Sequence, residues 1–110
     1  MPATKNEIIV VFVTVPGLRV GSRISKEILT SRLAACVTAI PGVRSMYWWE
    51  GKIALAQESM LVVKTTKSRY RRLERKIMEL HPYEVPEIIA IPLVGGSAQY
   101  IAWVEDEVAN

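Results

Sequence analysis

The stretch AACVTAIPGVRSMYWWEGKIALAQESMLVVKTT, residues 34–66, decides the fold. Glu50-Gly51 divides it into two arms of almost equal length, 34–49 and 52–66. An acidic residue before glycine suits a tight hairpin turn, whose central residues need positive φ. β-Branched and aromatic residues populate both flanks and favour a pleated ladder. A long hairpin is therefore predicted. Pro41-Gly42 interrupts its first arm, and proline has no N–H to give the ladder, so a bulge or kink is predicted there.

Working outward, EIIVVFVTV (7–15) is a nearly unbroken β-branched run, read as a strand buried on both faces. Pro16-Gly17 stops it. Residues 18–33 place Val20, Ile24, Ile28 and Leu33 at helical spacing, although Gly21 weakens that helix. Residues 67–81 form a second helix, with Tyr70, Leu73, Ile77 and Leu80 on one stripe and either Thr66 or Ser68 as its cap. His81 falls in its last turn, and Pro82 ends it. EIIAIPLV (87–94) is another strand. Ser97 caps a third helix over 98–108, which buries Ile101, Val104 and Val108 with Trp103 beside them.

The order β-α-β-β-α-β-α contains the split βαβ pattern. It predicts an α+β fold: a ferredoxin-like βαββαβ sandwich with an additional C-terminal helix, in a single domain over 1–110. Two helices cover one face of four strands. The strands nevertheless alternate little, so the other face also needs cover, in part from the third helix. Tyr47, Trp48 and Trp49 sit near the tip of an arm too long to fold back into so small a domain. They are read as anchors into a neighbouring subunit rather than as a ligand cage. A homo-oligomer follows from these residues alone.

Composition narrows the function. The chain has 110 residues, half of them hydrophobic, 23% charged, and a net charge of +3. The basic excess is local, with Lys67, Arg69, Arg71, Arg72, Arg75 and Lys76 in one ten-residue window. The window holds no glycine, and its one aromatic, Tyr70, lies on the apolar stripe, so this reads as the wet face of a helix, not a nucleic-acid surface. A single cysteine, Cys36, rules out an internal disulfide and suits a reducing compartment. The N-terminal segment lacks a leader pattern, and no apolar run reaches the ~18 residues a membrane helix needs. A cytoplasmic location is the resulting expectation.

The blocks RLAACVTAIPGVRSMYWWEGKI, VVKTT, HPYEVPEIIAIPL and GGSAQYIAWV, in this order and spacing, resemble the CutA family of divalent-ion tolerance proteins. The resemblance runs from about Val10 to Val104. It implies a tight homotrimer similar in build to the PII signalling proteins, with inter-subunit clefts and a part in tolerance of copper and other divalent metals; the alternatives are a PII-like sensor of a small ligand in that cleft and a trimeric scaffold that acts through a protein partner. It implies no enzyme activity and no organic cofactor. The sequence departs from the family pattern at Thr38, where asparagine is common, and at Gly21 and Ser25, where small alanines are usual. Val13 and Leu80 stand where some members carry a cysteine and a further histidine proposed as copper ligands, so His81 alone remains of that set.

The candidate metal ligands are thus His81 and Cys36, for copper or another divalent cation. Imidazole suits copper and zinc, and thiolate suits copper(I). Against this, His81 can serve as a helix end that donates to the last carbonyls, and Cys36 as a small core hydrophobe. Trp49, Glu58, Lys64, Tyr83 and Glu87 are the candidate lining of an inter-subunit cleft. Glu58 and Lys64 are polar in an apolar run, so each is expected to meet an opposite charge. The two prolines of HPYEVPE, residues 81–87, stiffen a pocket wall. No phosphate loop and no nucleophile signature point to an enzyme.

Overall fold

A computed structural model of the chain describes residues 7–109. Residues 1–6 and Asn110 lie outside it, and with them the segment read as leaderless and the two ends of the single-domain assignment. The elements are β1 (Ile8–Val15), α1 (Leu18–Thr30), β2 (Cys36–Trp49), β3 (Lys52–Thr66), α2 (Tyr70–Leu80), β4 (Ile88–Pro92) and α3 (Ala98–Glu107). A single 3-10 turn, Lys67–Arg69, leads into α2. The strands form one antiparallel sheet in the order β2-β3-β1-β4, the ferredoxin-like arrangement with one added helix.

Register separates the two faces of this sheet. Ile9, Val11 and Val13 pair with Thr65, Val63 and Leu61, and all six point to the same side. There α1 brings Ile24 and Ile28, and α2 brings Leu73 and Ile77, to close the main core. Gly21 belongs to this contact. A β-carbon on it would lie 3.2 Å from a Leu61 methyl and 3.3 Å from one of Val15. The residue that costs α1 some propensity is what lets the helix approach the sheet. Ile8, Val104 and Val108 are also buried but stand apart from this core. They mark where α3 covers part of the opposite face. Arg32 ties α3 down by an ion pair to Glu107 (2.7 Å), and the Arg69 guanidinium donates to the Val108 carbonyl. Ile40, Ile89 and Ile91 on the same face stay half-exposed.

The hairpin turn forms as the sequence requires. Glu50 and Gly51 both take positive φ (51° and 80°), and Trp49 pairs with Lys52 across the turn. One extra residue bulges β2 between Ile40 and Val43, with Gly42 at φ 71°. Strands of 14 and 15 residues reach about 50 Å at ~3.3 Å per residue. They set the 53 Å long axis of a molecule only 26 × 22 Å across.

Three local expectations are corrected. α1 stops at Thr30, short of residue 33, because Arg32 turns left-handed (φ 60°) and the Leu33 N–H folds back onto the Ile28 carbonyl. Neither Thr66 nor Ser68 caps the second helix; their hydroxyls bond each other at 3.1 Å. Of the residues expected inside on α3, Val104 and Val108 are, while Ile101 is only partly covered. Ser97 does cap α3, accepting from the Tyr100 N–H.

Candidate functional site

Prolines shape the site first. Pro82 ends α2, and the connection 82–87 runs between two prolines to the start of β4. His81 is the residue that leaves the helix, with extended backbone (φ −78°, ψ 133°). Its N–H still closes the last turn on the Ile77 carbonyl, but its ring does not turn to the helix carbonyls as expected. Nδ1 accepts from the Tyr83 N–H at 3.1 Å, and Nε2 lies 2.8 Å from the Thr14 carbonyl at the end of β1. An Nδ1 that accepts leaves the proton on Nε2, so Nε2 donates to Thr14. The ring is 7% exposed and tilted against Tyr83, centroids 4.7 Å apart. His81 thus pins the stiff connection to the sheet. To bind a metal it would have to give up one of these two bonds.

Tyr83 carries the link onward. Its hydroxyl donates to Glu58 Oε2 at 2.7 Å. Burial, and then the hydrogen bond to Glu58, push the phenol well above its ordinary 10.0. Glu58 is 6% exposed, on the face of β3 away from α1 and α2. Among the described residues no cation reaches its carboxylate. The opposite charge expected for it is therefore not found within the described chain.

A cleft of about 840 Å³ opens in front of this pair. Thr14, Glu58 and the 82–87 connection form its floor and one side, and residues 45–49 of β2 form the other. Of the five residues expected to share a cleft, Trp49, Glu58, Tyr83 and Glu87 line this one. Lys64 does not. It stands six residues from Glu58 along β3, about 20 Å away. Its ammonium donates to Thr38 Oγ1 (2.9 Å) and to the Val62 carbonyl (3.3 Å), not to a carboxylate.

Cys36 is set across from Lys64, level with Val10, whereas His81 bonds to the Thr14 end of β1, about 13 Å further along. The two proposed metal ligands are not brought together. Cys36 instead neighbours Tyr100 of α3, whose phenol pKa is raised by burial and then by the thiol. Among the described residues no three potential ligands gather tightly enough to hold a metal ion. Thr14 also belongs to the site, and its only signal in the sequence is a hydroxyl residue near the end of an apolar strand.

The chain matches the model of the CutA1 divalent ion tolerance protein family over residues 9–107. A divalent-cation tolerance protein CutA of Thermus thermophilus is 42% identical over 97 residues, covering 88% of this chain and 94% of that one. A chloroplastic CutA 1 protein of rice (Oryza sativa) is 43% identical over 98 residues, 89% of this chain and 55% of its own length. The chain thus spans about half the length of that plant relative. The crystal structure of CutA1 from rice superposes with a TM-score of 0.91 at 41% identity, covering 96% of each chain.

Proposed function

Because the chain belongs to the CutA1 divalent ion tolerance family, we propose that it acts in tolerance of copper or another divalent cation, as a homotrimer that meets the ion weakly where subunits adjoin. The observation that carries this reading is Glu58, a buried carboxylate that opens on a cleft and has no cationic partner among the described residues. Burying such a charge is costly unless something positive offsets it. The exposed hairpin, with Trp48 72% exposed and Met46 71%, supports association between copies.

In this reading Glu58 and Glu87 supply oxygen donors. His81 joins them only by releasing Tyr83 or Thr14, and Cys36 acts, if at all, as a separate thiolate. Symmetry lets a second subunit complete a ligand set that one chain lacks. The role is binding rather than catalysis, and the proposed place of action is the cytoplasm. No helix among the described residues is long and apolar enough to cross a membrane.

The test is calorimetric titration of the assembled protein with copper(II) and zinc, beside Glu58→Gln and His81→Ala. The expected result is binding on the order of micromolar that is lost in Glu58→Gln and weakened in His81→Ala. Absence of heat with either metal, or equal heat in all three proteins, overturns the metal reading. A second reading, a PII-like sensor of a small ligand, is favoured by the size of the cleft, far larger than a bare ion.

A further inference from the structure

The lining of the cleft has a sign and a texture that a metal ion alone does not explain. The chain carries 14 lysines and arginines against 11 acids, yet among the described residues no basic side chain lines the cleft and three glutamates do: Glu58, Glu84 and Glu87. Glu84 and Glu87 are exposed, whereas Glu58 is buried. The Tyr83 hydroxyl engages its Oε2, and Oε1 has no donor among the described residues. The facing wall is aromatic: Tyr47 and Trp49, expected from the sequence to anchor a neighbouring subunit, lie on the same side of the ladder as Glu58, and Trp48 on the other. A divalent ion prefers gathered oxygen, nitrogen or sulfur donors. A carboxylate set among aromatic faces in a wide cleft suits a positive head on an apolar body.

We propose that the cleft binds an organic ammonium ion, with its N–H donors on Glu58 Oε1 and its apolar stem against Trp49 and Tyr47. The proposal rests on the reading that the cleft holds a cation, and it names the class. Tyr83 is the positioning residue. Its hydroxyl fixes one carboxylate oxygen and leaves the other to face the ligand. Glu84 and Glu87 at the rim add attraction that salt would screen.

The experiment is calorimetry on the assembled full chain, in chelator, with n-butylammonium and its neutral counterpart butan-1-ol. The expected result is at least roughly tenfold tighter binding of the ammonium. Glu58→Gln should bring that preference close to unity, and Trp49→Ala should weaken both probes. Should Glu58→Gln fail to assemble, the exposed pair Glu84→Gln with Glu87→Gln should still cut the preference several-fold. Equal binding of the two probes, exclusion of both by a neighbouring copy, or a preference that survives loss of the carboxylates overturns the proposal. Metal titration separates the failures. A protein that binds zinc but shows no ammonium preference loses this inference alone, whereas one that binds neither cation loses the cation reading of the cleft as well.

Discussion

Leu61 and Leu55 lie on the same strand, six residues apart, and face the same side of the sheet. Leu61 is fully buried beneath α1 and α2, and Leu55 is 68% exposed in the free arm of the hairpin. Met46 and Trp48, across the ladder from Leu55 and Ile53, are as bare as Leu55. The two leucines are the same side chain, while their surroundings differ completely. The inner half of β3 stabilises the subunit by removing apolar area from water. The outer half is held by the ladder of the hairpin and leaves its apolar area exposed. The cleft lies at the boundary between them, where Glu58 is the last residue of the outer half to be covered, by Tyr83.

The largest effect should come from cutting each half in turn. Leu61→Ala leaves a cavity under two helices and should cost about 2–5 kcal/mol in denaturant unfolding. Leu55→Ala should stay within about 0.5 kcal/mol for the dissociated chain. If copies associate through this arm, it should instead lower the melting temperature of the associated protein at a given concentration, since association stabilises by mass action. Equal losses from both substitutions under dissociating conditions would break the comparison and mean that the arm is part of the subunit core.

The pin at the boundary comes next. Replacing His81 with alanine strands the Thr14 carbonyl and the Tyr83 N–H, both now served by the ring. A loss of about 1–3 kcal/mol is expected, the usual cost of a buried polar group left unpaired. Hydrogen exchange should localise the damage. Amides of the 82–87 connection should lose protection while those of β1 and the inner half of β3 keep it. Uniform loss across the sheet would mean that His81 supports the core rather than the cleft wall.

Much of this arrangement is legible in the residues. Glu50-Gly51 announces the turn, Pro41-Gly42 the bulge and Ser97 the third helix, because each depends on chemistry within a few positions. Arg32 hides the end of α1, since a left-handed residue there would ordinarily be glycine or asparagine. The cleft is legible in part for a related reason. Trp49, Glu58, Tyr83 and Glu87 stand out as polar or aromatic residues in places where packing alone does not call for them. Lys64 stands out equally but belongs elsewhere, because strand periodicity assigns it a face and not a position along the arm. Thr14 contributes a backbone carbonyl, which no side-chain pattern can announce. The His81 ring was expected at its own helix end, yet its partners are Thr14 and Tyr83, fixed by how α2 crosses the end of β1.

The smallest expected effect concerns the hydrogen bond that closes the boundary. Tyr83→Phe removes the donor to Glu58 and should cost about 1 kcal/mol near neutral pH. The informative reading lies at higher pH. In the folded chain, burial and then the Glu58 hydrogen bond hold the proton on the phenol above the 10.0 at which the unfolded chain releases it. The unfolded state therefore binds fewer protons above pH 10, and stability falls as pH rises through that range. The contribution is fully present below pH 10 and disappears above it. Tyr70 and Tyr100 are raised as well and decline in both proteins. Melting curves from pH 8 upward should thus run parallel for the two proteins until about pH 10 and converge beyond it, the wild type falling faster. Curves that stay parallel throughout would show that Tyr83 is not held by Glu58 in solution, and the covered half of the hairpin would then end at Ser59.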